Sequence, residues 1–241
     1  MLEKIRLLYE REQFNPSFVG LFINPFYFSR RGLHKNVSDL IVNLRGRVLD
    51  IGCGSKPYEN LCVCDEYIGL DVEGRPNEKA DYFYDCNKMP FGDASFDSLI
   101  SSQVFEHVFN PGHFLKEANR VLKKDGIFLL TVPLVWEEHE KPYDFARYTS
   151  FGLKHILSEH GFEMLDSRKT SKGIETIFQL VTSYIYDVTL TKNNYLNVLI
   201  TIILIAPVNI VGAILSKILP KNDNLYLDNV VIARKKISVS I

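Results

Sequence analysis

The 241-residue sequence predicts an α/β fold: a doubly wound, mostly parallel seven-stranded sheet with helices on both faces. Two observations predict it. From residue 47 onward, short apolar runs alternate with helical patterns, and a Gly-x-Gly pair follows the first run where a strand turns toward a helix.

In chain order, residues 1–45 read as helical and aromatic, with Phe14, Phe18, Phe22, Phe26, Tyr27 and Phe28 followed by Arg30 and Arg31, and are expected to form an N-terminal helical lid. A helix over 33–44 puts Val37, Leu40, Ile41 and Leu44 on one face, a spacing suited to packing on a sheet. Strands are expected at 48–51, 67–70, 82–84, 98–100, 127–132, 162–168 and 226–233. Pro111 starts a helix with Phe114, Leu115, Ala118, Val121 and Leu122 inward, and Asp125-Gly126 is expected to end it, making a right-handed crossover. After an irregular loop to Tyr148 come a helix over 150–160 and a long apolar helical insertion over 174–219, before the last strand. The expected organisation is therefore a lid (1–45), an α/β domain (46–170), an apolar helical insertion (171–221), and the last strand with its tail (222–241).

Composition narrows the function classes. The 28 Lys and Arg nearly balance 29 Asp and Glu, so no nucleic-acid partner is expected. Cys53, Cys62, Cys64 and Cys86 form no C-x-x-C pair and read as reduced thiols. Charges among the first twelve residues break any signal-like apolar stretch, giving the expectation of a cytoplasmic chain. Residues 195–216 carry no charge and match a single membrane span in length. The flanking strands belong to one sheet, however, so both ends of the segment must return to the same side, and Pro207 and Asn209 interrupt the run. Peripheral contact of 195–219 with the inner face of a membrane is the expectation; a buried helical layer or a homodimer contact is the competing one.

The chemistry concentrates between residues 50 and 148. Gly52 and Gly54 let a ligand approach backbone. Asp71 closes the second strand, where a carboxylate accepts hydrogen bonds from both ribose hydroxyls, and Asp85 precedes the apolar Met89-Pro90-Phe91. Asp50-x-Gly-x-Gly, Asp71, the stretch DCNKMPFGDASFD and SQVFEHV together resemble the class I S-adenosylmethionine-dependent methyltransferases of the type-11-like subgroup, over residues 45–133. The resemblance implies a Rossmann-like methyltransferase with S-adenosylmethionine as cofactor. Asp50, Gly52 and Gly54 would surround its methionine part, Asp71 the ribose, Asp85 and Cys86 the adenine, and Gln103 the region near the sulfonium. Gln103 stands where many relatives carry Glu, and Ser55-Lys56-Pro57 departs from their commoner Thr-Gly. A nicotinamide-dependent oxidoreductase ranks third, because Pro57 occupies the place of the third small residue in the dinucleotide fingerprint. A membrane-associated cofactor-binding protein without turnover ranks second.

His107 and His139, both expected near strand C-terminal ends, are the candidate catalytic bases, with a helix-capping or packing role as the alternative for His107. The segment His139-x-x-Pro-Tyr-Asp-Phe-x-Arg-Tyr-Thr resembles a pattern in a subset of these enzymes, many from surface-polysaccharide and lipid-linked glycan pathways. Tyr143, Asp144, Arg147 and Tyr148 would then bind the acceptor, a small or lipid-linked molecule; a hydrogen-bond network that pins the loop is the competing reading. Glu106 and His107 suggest no metal, since neighbours on a helix point about 100° apart.

Overall fold

A computed structural model describes residue 9, residues 11–74 and residues 79–236. The first eight residues and residue 10 of the expected lid, and the last five of the expected tail, lie outside the described residues. The chain divides into two compact units, Val37–Arg168 with Asn229–Ile241, and Met1–Asn36 with Lys169–Asp228. The division falls near residue 36, and the first helices share a unit with the apolar segment.

The first unit is built on the sheet. Its strands are β1 (Arg47–Ile51), β2 (Glu66–Val72), β3 (Tyr82–Tyr84), β4 (Phe96–Ser102), β5 (Leu122–Pro133), β6 (Phe162–Lys169) and β7 (Asp228–Lys235), in spatial order β3-β2-β1-β4-β5-β7-β6. The pairs β1–β2, β1–β4, β2–β3 and β4–β5 are parallel. Bonds from Lys236 N to Gly161 O and from Thr170 N to Asp228 O, at opposite ends of β6, make β6 and β7 antiparallel. Seven mostly parallel strands agree with the sequence-based expectation. Val48, Leu49 and Ile51 are fully buried, as a central strand covered on both faces requires. They join Leu70, Leu99, Phe128, Leu130 and Phe162 in the core, with Phe114, Leu115, Ala118 and Val121 packed from a helix.

That helix, Pro111–Val121, starts on Asn110, whose side chain accepts from His113 N at 3.1 Å, with Pro111 at the first helical position. It ends at Val121, earlier than Asp125-Gly126. Leu122 already pairs with Phe96, and the ladder resumes at Ile127 opposite Ser98, so Lys123 to Gly126 form an irregularity inside β5. Asp125 takes φ 59° there, a turn conformation that aspartate tolerates. A second helix, Ser150–Glu159, is capped by Thr149 Oγ1.

The second unit is helical, with Gly20–Ile23, most of Tyr27–Ile41, and then Ile174–Thr189, Asn194–Ile200 and Ala206–Ile218. Tyr27–Ile41 begins six residues before the expected start because Asn24 Oδ1 accepts from Phe26 N at 2.8 Å and Pro25 sets the first turn. A π-helical turn at Thr201–Ile205 joins the last two helices. It stands immediately before Pro207, whose ring and missing N–H disrupt the preceding turn, so 194–218 runs on as one helix.

The helical unit buries many polar side chains beside a small apolar cluster of Leu21, Tyr27 and Phe28, and exposes many apolar ones. Its buried side chains include Thr176, Gln179, Thr182, Ser183, Thr201 and Asn209, while Ile177, Leu180, Tyr184, Val188, Leu199, Ile203, Ile214 and Ile218 are exposed. Most inner groups are bonded: Gln179 Nε2 donates to Pro25 O at 3.0 Å and Asn209 Nδ2 to Asn24 O at 3.1 Å, while Asn209 Oδ1 has no hydrogen-bond partner among the described residues. Gly212 allows close packing, because a Cβ there would lie 2.7 Å from Phe178 Cγ.

Candidate functional site

The strand order reverses beside β1, where the chain passes to β2 on one side and β4 on the other, and this switch point opens a crevice at the strands' carboxyl ends. A cavity of about 1130 Å³ lies there, within the sheet unit. Segments following β1 to β5 line it. It exceeds the roughly 300–1,000 Å³ of ordinary small-molecule sites, leaving space for two reactants.

Gly52 (φ 74°) and Gly54 (φ 48°) shape the near wall in conformations that favour glycine. A Cβ on Gly52 would meet Val104 Cγ2 at 2.4 Å, whereas one on Gly54 would meet nothing within 4 Å. Gly52 thus packs the turn against the segment after β4, while Gly54 exposes backbone to a ligand. Asp71 lines the cavity, with Oδ1 accepting from Val72 N at 2.8 Å, and Glu73 stands beside it. Tyr84, Cys86, Asn87 and Met89 line the end of the cavity after β3. Arg120 fixes that end, donating to Phe91 O at 2.8 Å, Met89 O at 3.1 Å and both oxygens of Glu117.

Gln103 also lines the cavity, at φ 57°, with Nε2 donating to Thr131 Oγ1 at 3.1 Å. His107, in a short 3-10 turn, lines it as well. Burial holds its pKa below the usual imidazole value, although the bond between Nδ1 and Tyr143 O (2.7 Å) opposes this. Tyr143 completes the rim.

The remaining expected site residues stand back from the cavity. Asp50 is buried behind the glycine turn, accepting from Tyr67 OH at 2.8 Å. Burial raises its pKa to about 7; Asp71 and Glu59 add to this, while Tyr67 and Lys56 oppose it. Asp85 is exposed and bonds Asn87 N and Nδ2, which lowers its pKa, and it is Cys86 and Asn87 that face inward. His139 lies behind His107, ring edge to face at 4.7 Å. Asp144 and Arg147 close on each other through bonds of 2.5 and 2.7 Å, and Arg147 also donates to Glu137 O, so their polar groups tie the loop together. Arg147 holds the Asp144 carboxyl far below its usual range. Tyr148 stacks on Phe105 at 5.0 Å and packs against the core. For Asp144, Arg147 and Tyr148 the geometry is that of the loop-pinning network, since none of them reaches the cavity.

Glu73, His113, Glu117 and Glu140 complete the lining without having been singled out from the sequence. Among the described lining residues the carboxylates are Asp71, Glu73, Glu117 and Glu140; Glu117 is paired with Arg120, and no Lys or Arg is itself part of the lining. Such a cavity attracts a cationic ligand and repels a pyrophosphate.

A sheet of this order, with a glycine turn after β1 and a carboxylate at the end of β2, defines a Rossmann-like nucleoside-cofactor domain. Comparison with known proteins fixes the kind: residues 49–130 match the family model described as a methyltransferase domain. An uncharacterised protein of Methanocaldococcus jannaschii is 35% identical over 136 residues, covering 54% of this chain and 49% of the other. A Mycolicibacterium smegmatis protein, described as a probable S-adenosylmethionine-dependent methyltransferase, is 27% identical, covering 50% and 53%. The chain thus spans about half the length of the curated relatives it matches. Haemonchus contortus phosphoethanolamine N-methyltransferase 2, solved with S-adenosyl-L-methionine, shares the fold at TM-score 0.53 and 16% identity, over 94% of this chain and 59% of that one. Residues 49–130 thus match a methyltransferase domain, and relatives of the chain are described as S-adenosylmethionine-dependent.

Proposed function

We propose that the chain transfers a methyl group from S-adenosylmethionine to a hydroxyl-bearing, lipid-linked or otherwise amphiphilic acceptor while resting on one face of a membrane. The acidic lining of the cavity carries the cofactor reading: S-adenosylmethionine bears a sulfonium and an ammonium, whereas a nicotinamide dinucleotide would bring its pyrophosphate against Asp71, Glu73 and Glu140. When bound, the cofactor supplies an activated electrophilic methyl, so the work left to the chain is alignment and exclusion of water. The open backbone at Gly54 would receive the methionine part and Asp71 with Glu73 the ribose hydroxyls. Tyr84 and Met89 would flank the adenine. His107, which lines the same cavity, would take the proton of an acceptor hydroxyl.

The helical unit supports the membrane contact. Buried polar groups, most of them bonded, and exposed leucine, isoleucine and valine suit a hydrocarbon surround, in which buried polar groups must be satisfied internally. Lys217 and Lys221 close the apolar segment and would meet anionic headgroups.

Incubating the full chain with methyl-labelled S-adenosylmethionine and an extract of membrane lipids and glycans tests the reading. Label is expected in the organic phase, and His107→Ala is expected to abolish it while retaining cofactor binding. Cofactor binding with no label in any pool would instead establish a binding protein without turnover.

A further inference from the structure

The chain bears a cluster of which methyl transfer as described uses only one member, His107. Glu106 is fully buried at the start of the 3-10 turn, and His107 follows it. On an α-helix the two side chains would diverge, but here His107 Nε2 lies 3.8 Å from Glu106 Oε1. The loop after β5 brings His139 to the same place, and one donor atom from each of the three lies within 4.8 Å of the others.

Both imidazoles are oriented from behind. His107 Nδ1 bonds Tyr143 O at 2.7 Å. His139 Nδ1 lies 3.2 Å from Glu137 O and 3.3 Å from Asp144 Oδ2. An oxygen acceptor at Nδ1 fixes the proton there and leaves the Nε2 lone pair outward, the arrangement that prepares histidine for a metal. Asp144 is itself held by Arg147 and bonds His139 N at 3.0 Å, so the loop network that stands back from the cavity supports the second imidazole.

We infer that Glu106, His107 and His139 form a binding site for one divalent transition-metal ion, beside the cavity that His107 lines. Two imidazoles and one carboxylate suit zinc, iron(II) or manganese, and are a poor set for magnesium, which favours oxygen ligands. An ion with bonds of about 2.1 Å holds its ligand atoms about 3.4 Å apart, so a shift of about an ångström closes the site. His139, whose side chain is 32% exposed on its loop, has room to supply it. With the ion in place, an acceptor hydroxyl coordinated to it would lose its proton to water and attack as the alkoxide, replacing the free-base role of His107. That role rests on the methyl-transfer reading above; the binding of the ion does not.

Titrating the chelator-stripped full chain with Zn²⁺ by calorimetry, and with Co²⁺ by visible absorption, tests the site. One ion per chain is expected, with His139→Ala and Glu106→Gln each weakening binding by at least about tenfold and Mg²⁺ giving no heat. Retained cofactor binding shows that each variant is folded. A Cys62→Ser, Cys64→Ser double variant is expected to bind Zn²⁺ as the unmodified chain does. Absence of Zn²⁺ binding, equal binding by His139→Ala, or loss confined to the cysteine variant would each overturn the inference. Cofactor binding by the metal-free chain reports on the methyltransferase reading separately.

Discussion

Asp50 shows how one hydrogen bond moves a residue from a site to its foundation. Burial under the glycine turn keeps the acid protonated up to about pH 7, against the opposing pull of the Tyr67 hydroxyl that donates to its carboxyl from the neighbouring strand. An acid whose pKa is raised on folding favours the folded state at low pH. That contribution disappears as pH climbs from the unfolded value of 3.8 to about 7. Across this range the unfolding free energy of the unmodified chain should fall relative to that of Asp50→Asn by up to about 4 kcal/mol. Denaturant titrations of both proteins at several pH values check this, and parallel curves would show that Asp50 ionises freely. Gly52, Gly54, Asp71, Gln103 and His107, whose place follows from backbone position, all line the cavity. Asp50, Asp85, Asp144 and Arg147 stand back from it, because a partner decides where a carboxylate or guanidinium points, and those partners are set by the fold.

At the scale of elements, the turn after β1 governs the site. Gly52 combines a left-handed backbone with contact to Val104, so Gly52→Ala adds both backbone strain and a clash at 2.4 Å. A loss of about 3 kcal/mol in stability is expected, together with loss of cofactor affinity, whereas Gly54→Ala adds backbone strain alone. Thermal unfolding of the two variants separates these effects, and equal stabilities would contradict the assigned packing. The strands were readable because apolar runs of four to six residues between turn signals have few alternative uses in a domain of this size. The end of the helix before β5 was not, since Asp125-Gly126 marks a bulge inside the strand as readily as a helix terminus. The proximity of Glu106, His107 and His139 depends on a 3-10 turn and a loop conformation, neither of which has a periodic signature.

At the scale of the whole molecule, the proposed membrane contact rests on the helical unit. Thr176, Gln179 and Ser183 recur at a spacing of three and four residues, the inverse of a soluble helix's apolar stripe. That signal stood in the sequence, but only the structure tells which face is covered. Full-length protein should float with anionic phospholipid vesicles. Leu199→Asp should weaken the association by about tenfold or more, given the roughly 1.5–3 kcal/mol for burying a leucine. A chain that never floats would leave the apolar face to a protein partner.

The central claim is that the acidic cavity beside β1 holds S-adenosylmethionine, and calorimetry with its demethylated product, S-adenosylhomocysteine, tests it most directly. The account predicts saturable binding by the full chain, weakened by about 2–4 kcal/mol in a folded Asp71→Ala variant that has lost both ribose contacts, and no heat with a nicotinamide dinucleotide. Unchanged affinity in Asp71→Ala, or preference for the dinucleotide, would contradict it.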